Sequence, residues 1–141
     1  MNGKTVMILG GGVGGLVAAN ELRQRVAREH RIVLVEKNTH HAFAPSFLWV
    51  LTGDRQPEQV RRPVVQLIRP GVEVISAEVR NIDPARRQVE TSTQTLSYDY
   101  LVVALGAELA PESVPGLSEA AYTFYSYEGV VRLRDALRGL T

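Results

Sequence analysis

The sequence predicts an α/β fold, in which a parallel β-sheet is built on a strand–helix–strand unit and is accompanied by a small antiparallel β meander. Three observations support this prediction. The apolar run Val6 to Leu9 ends at a glycine-rich turn, the run Ile32 to Val35 follows an amphipathic segment, and the run Tyr98 to Gly106 again ends at a glycine. Short apolar runs bounded by turn residues are typical of strands that are buried in parallel sheets.

The first turn has the pattern Gly10-x-Gly12-x-x-Gly15. Gly10 permits a sharp turn, Gly12 lets backbone N–H groups approach a pyrophosphate, and Gly15 lets the following helix pack close to the strand. The phosphates then lie at the helix N-terminus, where unpaired N–H groups and the helix dipole favour negative charge. Because any glycine-rich turn can match this pattern by chance, the flanking residues must supply the specificity.

The residues that follow support a dinucleotide-binding unit. The strand Ile32 to Val35 ends at Glu36, which lies 21 positions after Gly15, close to the spacing at which a carboxylate reaches the ribose hydroxyls of an adenosine. A carboxylate at this position repels a 2′-phosphate, which favours FAD or NAD over NADP. Between turn and strand, one helical face is apolar and the other largely charged: Leu16, Ala19, Leu22 and Val26 against Arg23, Gln24, Arg25, Arg28 and Glu29.

The composition is that of an ordinary soluble domain. The 141 residues are 45% hydrophobic and 22% charged, with a net charge of +1, and the scattered charges argue against a nucleic-acid surface. We interpret the pairs Arg61-Arg62 and Arg86-Arg87 as solvated. There is no cysteine, which excludes a disulfide framework and a thiol catalyst, and no apolar run approaches the ~18 residues of a membrane span.

The segment 37–53 is predicted to be a loop or a short irregular helix, rich in aromatic residues, just past the carboxyl end of a strand. Ligands of open α/β sheets lie at that edge, and Phe43, Pro45 and Ser46 are the ligand candidates. His40 and His41 are interpreted as loop residues, since adjacent side chains point in different directions and no further metal ligand is close in sequence. Four other residues are expected to cover the core: Phe47, Leu48, Val50 and Leu51.

Apolar residues at helical spacing predict a helix over about 57–69, with its regular part beginning at Pro63 and its end at Pro70-Gly71. Two strands are expected next, at Val72 to Ala77 and at Val79 to Ile82. Asp83-Pro84-Ala85 is then predicted to form a turn.

The polar, threonine-rich segment Gln88 to Thr95 is typical of exposed antiparallel strands. The run Tyr98 to Gly106 predicts a buried strand, and Gly106 marks close approach of the backbone to a ligand. Ser126 is the expected N-cap of a last helix, with Glu128 in its first turn; its apolar face is expected to contain Val130, Leu133 and Leu137.

Taken together, these residues resemble the FAD-binding half of the pyridine nucleotide-disulfide oxidoreductase superfamily, flavoproteins with two dinucleotide-binding domains. Within the superfamily, the stretch from Phe43 to Val50 followed by Gly53 looks most like sulfide:quinone oxidoreductases, with flavocytochrome c sulfide dehydrogenase and type II NADH dehydrogenases as near relatives. Four landmarks occur in the family order: the glycine turn with Glu36-Lys37-Asn38, His41-x-Phe43-x-Pro45-Ser46-x-x-Trp49-Val50, Ala77-Glu78-Val79-x-x-Ile82-Asp83, and Tyr98 to Gly106.

The resemblance implies a Rossmann-like FAD/NAD(P)-binding domain over residues 1–141, incomplete because such flavoproteins continue with a second dinucleotide domain and a C-terminal part. It implies FAD as cofactor. The residues themselves indicate no metal site and no catalytic acid, base or nucleophile in this chain. The implied contacts are Gly10, Gly12, Val13, Gly14 and Gly15 at the pyrophosphate, Glu36 at the adenosine ribose, Val79 at the adenine, Pro45 and Ser46 near the isoalloxazine, and Ala104, Leu105 and Gly106 along the cofactor. Lys37, next to Glu36, is a further expected cofactor-binding residue.

The chain departs from the family pattern at two places. The family usually has Ala-Thr-Gly where this chain has Ala104-Leu105-Gly106, which removes a hydroxyl group. Sulfide:quinone oxidoreductases often have a cysteine just before the helix that starts here near Ser126, where this chain has Tyr125 or a neighbour. Sulfide chemistry through that thiol is therefore not supported.

The implied function is that of an FAD-dependent oxidoreductase, which passes electrons from a reduced donor through the flavin to an acceptor such as a quinone. The fragment alone is expected to be inactive. The expected partners are the small-molecule donor and acceptor and a second copy in a homodimer, with no nucleic acid and no membrane span. The expected location is cytoplasmic, with peripheral contact to the inner face of the membrane through regions outside this chain.

Two alternatives remain. One is a stand-alone module that binds NAD or FAD without catalysis. The other is a dehydrogenase that uses NAD directly, which predicts a parallel α/β continuation after Glu36 and fits the proline-aromatic segment and the meander poorly.

Overall fold

A computed structural model describes residues 3–140 of the chain. Within it the chain divides into two compact units. The first contains the residues up to His41 together with Pro63–Gly106, and the second contains Ala42–Arg62 together with the residues from Ala107 onward. The chain therefore leaves the first unit after His41 and returns to it at Pro63.

The first unit is built on a four-stranded parallel sheet. Its strands are β1 (Thr5–Leu9), β2 (Arg31–Glu36), β5 (Val72–Ser76) and β9 (Tyr100–Val103). Their order in the sheet is β5-β2-β1-β9, and Ile8 of β1 lies opposite Leu34 of β2 and Val102 of β9. The parallel α/β sheet predicted from the sequence is thus confirmed.

The two central strands are buried on both faces, because successive side chains point to opposite sides of a strand. Helix α1 (Val13–Arg25) packs on one face through Leu16 and Ala19, and the meander packs on the other through Val89. Ile8, Ile32 and Leu34 lie towards α1, and Met7, Leu9, Val33 and Val35 lie towards the meander.

The C-terminal end of α1 is closed by one arginine. The Arg23 guanidinium donates hydrogen bonds to the carbonyl oxygens of Val26, Ala27 and His30 at 2.8–2.9 Å. The helical pattern placed Arg23 on the solvent face, but the side chain is half-buried. The reason is that the segment between α1 and β2 presents three backbone carbonyl oxygens to the guanidinium, which draws the side chain in from solvent.

The prediction of a single helix over 57–69 is wrong. The structure has a 3₁₀ turn at Pro57–Val60, the short strand β4 (Arg61–Pro63) and one helical turn, α3 (Val64–Leu67). Strand β4 pairs with β3 (His40–Ala42) as a two-stranded sheet. A residue before proline is biased towards extended backbone, which favours the strand at this point and moves the helix start one residue past Pro63.

The meander consists of β6 (Val79–Asp83), β7 (Gln88–Thr91) and β8 (Thr95–Ser97) in antiparallel order, as predicted. The prediction that the segment Gln88 to Thr95 forms exposed strands is only partly correct, since in β7 Val89 is fully buried and Thr91 is 4% exposed. One face of β7, with Val89 and Thr91, is buried and covers the parallel sheet through Val89, whereas Glu90 on the other face is exposed.

Strand β9 is also less buried than its apolar sequence indicates. Tyr100 and Val103 are 62% and 59% exposed. The physical reason is the strand order, which places β9 at the edge of the sheet, whereas a continuous apolar run is typical of a central strand.

The second unit contains α2 (Phe47–Thr52), α4 (Leu117–Ala120) and α5 (Tyr127–Arg138), with a small core of Phe47, Val50, Val60 and Val130. The predicted N-cap is confirmed, because the Gly129 N–H donates to Ser126 Oγ at 3.1 Å. The prediction that Leu48 covers core is wrong, because this side chain is 56% exposed.

Among residues 3–140, no helix is both long enough and apolar enough to cross a membrane.

The start of β1 is held by Asp99, which precedes β9. Its carboxylate accepts hydrogen bonds from the Thr5 N–H at 2.8 Å and from Lys4 Nζ at 2.9 Å, and its own N–H donates to the Thr5 carbonyl oxygen at 2.9 Å. The Thr5 N–H, followed by the Lys4 ammonium, lowers the pKa of Asp99 below its ordinary 3.8. The same ion pair raises the pKa of Lys4 above 10.5.

We expect Asp99→Asn to lower the thermal unfolding midpoint at neutral pH, because the Lys4 ammonium and the Thr5 N–H lose a charged acceptor. A carboxyl group with a lowered folded-state pKa stabilises the fold at pH values above its ordinary pKa of 3.8, and this stabilisation is lost as the pH falls through the folded-state pKa. The difference between variant and parent should therefore shrink below about pH 4. A difference that does not change with pH, or an equal effect of the control Glu119→Gln, would contradict this role.

Candidate functional site

The strand order changes direction between β1 and β9, and both strands end at the same edge of the sheet. The glycine turn follows β1, and the segment Ala104 to Gly106 follows β9. The Ala104 N–H donates to the Leu9 carbonyl oxygen at 2.8 Å, which holds the two strand ends side by side. In open α/β sheets a ligand binds in the crevice at such a switch point.

Two of the glycines in this turn are required by the fold. Gly10 has φ +97°, and a Cβ on it would lie 2.3 Å from the Ala104 carbonyl oxygen. A Cβ on Gly15 would lie 1.8 Å from the carbonyl oxygen of Gly10. Both distances are far below van der Waals contact, so the turn and the close approach of α1 to β1 exist only with glycine at these positions.

Gly12 is different, because the fold does not require it. Its φ is −71°, and nothing lies within 4 Å of where its Cβ would be. This open space adjoins the first turn of α1, whose N–H groups have no partner within the helix and which contains no acidic residue. The missing side chain therefore leaves room for an anion at the positive end of the helix, which is the environment that a pyrophosphate fits.

The Glu36 carboxylate lies beside the glycine turn, at the end of β2. One oxygen accepts a hydrogen bond from the Gly11 N–H, and the other accepts from the Asn38 N–H at 2.6 Å. A Cβ on Gly11 would lie 2.8 Å from Glu36 Cγ, so the carboxylate reaches the turn only because Gly11 has no side chain. The glycine pattern does not include Gly11, and sequence reasoning missed it.

The residues predicted for the adenosine half lie next to Glu36. The Ala77 N–H donates to the Glu36 carbonyl oxygen at 3.2 Å, so the segment leading into Val79 starts beside the end of β2. Lys37 extends from the same strand end, with Nζ 3.8 Å from Glu78 Oε1. The first unit thus brings the glycine turn, Glu36, Lys37 and the start of β6 to one edge.

The remaining predicted residues differ in exposure. Leu105 is 53% exposed, and Gly106 has φ +77° with open space where its Cβ would be. In the second unit, Pro45 is exposed within a 3₁₀ turn, whereas Ser46 is 3% exposed and its N–H donates to the Phe43 carbonyl oxygen.

The two adjacent histidines lie in strand β3 rather than in the expected loop. His41 is half-buried, with Nδ1 3.2 Å from the Gly11 carbonyl oxygen, while His40 is exposed and has Nδ1 3.0 Å from Thr39 Oγ1. Within residues 3–140, no group of three or more histidine, cysteine, aspartate or glutamate side chains is placed to hold a metal ion. The contact between His41 and the turn joins residues 30 positions apart, and no local sequence pattern indicates it.

Comparison with known proteins gives a consistent result. Mitochondrial sulfide:quinone oxidoreductase of Mus musculus is 33% identical over 140 residues, covering 95% of this chain and 31% of that protein. Type II NADH:quinone oxidoreductase of Staphylococcus haemolyticus is 33% identical over 132 residues, covering 92% of this chain and 33% of that protein. The crystal structure of the sulfide:quinone oxidoreductase from Aquifex aeolicus is similar with a TM-score of 0.87 and 28% identity, over 97% of this chain and 32% of that one.

The chain therefore spans about a third of the length of the curated relatives that it matches. The family model of the pyridine nucleotide-disulphide oxidoreductases matches residues 4–139, which is nearly the whole chain. The match agrees with the glycine turn, the position of Glu36 and the antiparallel meander, and we conclude that the chain belongs to the pyridine nucleotide-disulphide oxidoreductase family.

Proposed function

We propose that this chain is the FAD-binding part of a flavoprotein oxidoreductase, which passes electrons from a reduced donor through the flavin to an acceptor such as a quinone. The names of the relatives support an oxidoreductase that uses a quinone, and the family binds FAD. The observation in this chain that supports the proposal most directly is the open space at Gly12, at the N-terminus of α1 and on the same edge as the Glu36 carboxylate.

In this proposal the backbone of the glycine turn and the first turn of α1 hold the pyrophosphate. Gly12, Val13 and Gly14 are exposed there, and the N–H groups of a helix start are unpaired within the helix. FAD, when bound, supplies the redox chemistry, and the protein contributes binding, orientation and electrostatics. No proton transfer by a side chain of this chain is required.

Glu36 has the chemistry to hold the adenosine ribose. A carboxylate offers about four acceptor positions, and the Gly11 and Asn38 N–H groups use two of them. The others suit two ribose hydroxyl groups, while a 2′-phosphate would meet a like charge. Lys37 and Val79 complete the adenosine side, and Ala104, Leu105 and Gly106 line the cofactor from the end of β9.

The remaining parts of the proposal concern the whole protein. Residues 1–141 form its N-terminal FAD-binding domain. Of the two residues expected near the isoalloxazine, Pro45 is exposed and can contact it, whereas the side chain of Ser46 is 3% exposed and offers little surface for such a contact. The electron donor and acceptor are small molecules. The protein acts as a homodimer in the cytoplasm, and any contact with the inner face of the membrane is made by regions outside these residues.

We expect the purified 141-residue chain to bind FAD weakly, because it contains only part of the contacts that a complete site makes. The measurement is a titration followed by quenching of flavin fluorescence, with NAD and NADP titrated by calorimetry for comparison. FAD should bind more tightly than NAD, and NADP should bind worst because of its 2′-phosphate. Binding of NAD without FAD would instead support a stand-alone NAD module.

Two glycine variants distinguish a glycine that the fold requires from one that the proposed pyrophosphate site requires. We expect Gly15→Ala to lower the free energy of unfolding by about 1–3 kcal/mol or more, since its Cβ would overlap the Gly10 carbonyl oxygen.

Gly12→Ala should change the free energy of unfolding by less than about 1 kcal/mol, a typical N-cap effect. Its FAD affinity should nevertheless fall at least about tenfold, because the Cβ enters the space proposed for the pyrophosphate. Gly12→Ala with unchanged affinity would place the pyrophosphate elsewhere.

A further inference from the structure

We propose that His41 is a positioning residue of the dinucleotide site. Its imidazole holds the Gly11 carbonyl group and thereby sets the direction of the Gly12 N–H. The ligand part of this inference rests on the proposed function, whereas the hydrogen bond itself is a property of the first unit.

Gly11 is held from both sides. His41 Nδ1 lies 3.2 Å from the Gly11 carbonyl oxygen, and the Gly11 N–H donates to the Glu36 carboxylate. A carbonyl oxygen can only accept a hydrogen bond, so Nδ1 of His41 must be the nitrogen that bears the proton. Two side chains, one at the end of β2 and one in β3, thus hold the two polar groups of a single glycine.

This arrangement determines the direction of the next N–H group. A peptide unit is planar, and in the trans form its C=O and N–H point in opposite directions. The Gly11–Gly12 peptide is trans, so an imidazole that holds the Gly11 carbonyl keeps the Gly12 N–H pointing away from β3. By the same geometry, Glu36 holds the plane of the Gly10–Gly11 peptide.

The turn needs such restraint because of its composition. Three successive glycines, Gly10, Gly11 and Gly12, form the most freely rotating backbone that a protein can have. Ordering them when the ligand binds would reduce the affinity, and a turn that is already ordered avoids that cost. His41 therefore raises the affinity for the pyrophosphate without touching it.

The adjacent histidine provides a matched control. His40 lies in the same strand but is exposed, and its Nδ1 is 3.0 Å from Thr39 Oγ1, on a neighbouring residue. Replacing His40 therefore removes an imidazole from β3 but leaves the hydrogen bond between His41 and the Gly11 carbonyl group in place.

The first test compares FAD affinity in His41→Leu, His41→Asn and His40→Leu, with circular dichroism to confirm that each variant is folded. Loss of one hydrogen bond should weaken binding about three- to tenfold in His41→Leu. Asparagine can place an N–H donor near the position of Nδ1, so His41→Asn should recover most of the affinity, and His40→Leu should match the parent. Binding by His41→Leu within about twofold of the parent, or His41→Asn as weak as His41→Leu, would overturn the proposal.

The second test needs no ligand. The ¹⁵N chemical shifts of the imidazoles, measured at alkaline pH, distinguish a ring nitrogen that bears a proton from one that does not. His41 should bear its proton on Nδ1. His30 should show the opposite tautomer, because its Nδ1 accepts a hydrogen bond from the Lys4 N–H at 2.9 Å. A proton on Nε2 of His41 would overturn the proposal whatever the binding data show.

The two tests also distinguish failure of this inference from failure of the proposed function. If the parent chain binds no FAD, the proposed function fails and the inferred role in ligand binding fails with it, while the tautomer still decides whether His41 holds the turn. If the parent binds FAD and the His41 variants bind equally well, the proposed function stands and only the inference is overturned.

Discussion

The first unit depends on the close contact between helix α1 and the end of strand β1. At Gly15 the helix backbone lies so near the Gly10 carbonyl oxygen that a single methyl group would overlap it. This distance lets Leu16 and Ala19 reach the sheet and form one half of the core. It also places the start of the helix next to the point where the strand order reverses. The packing of α1 on the sheet and the position of the helix start are therefore consequences of the same contact.

The glycines of the turn serve two separate purposes. Gly10 and Gly15 have no space for a Cβ, and Gly11 has none because the Glu36 side chain lies against it. Gly12 has free space and ordinary backbone angles. Three positions are thus explained by the folded chain itself, whereas the folded chain leaves space at Gly12, and at Gly14 a Cβ would meet only the Ala104 Cβ at 4.0 Å. The charges around the turn are also separated. The Glu36 carboxylate, from the end of β2, lies beside Gly11, whereas the first turn of α1, which follows Gly12, contains no acidic residue.

Much of this architecture can be predicted from the sequence because it depends on local patterns. Apolar runs, glycine spacing and the Ser126 cap each act within a few residues, and the elements they predict are present. Strand β4 and the exposure of β9 could not be predicted, because both depend on which strand lies beside them. The same limit applies to the site. The spacing between Gly15 and Glu36 can be counted in the sequence. The contact of His41 with Gly11 cannot be predicted in this way, because it forms only when the fold brings β3 to the turn.

The edge position of β9 also affects how the chain behaves in a concentrated solution. An edge strand offers one row of backbone N–H and C=O groups to any neighbouring extended segment, and proteins usually protect such edges with charges, prolines or a bulge. The four residues of β9, Tyr100 to Val103, contain none of the charged or proline residues that do this, and two of their side chains are largely exposed. The edge of β9 is thus open to pairing with a strand of a second molecule, and one lysine introduced into β9 would disfavour such pairing.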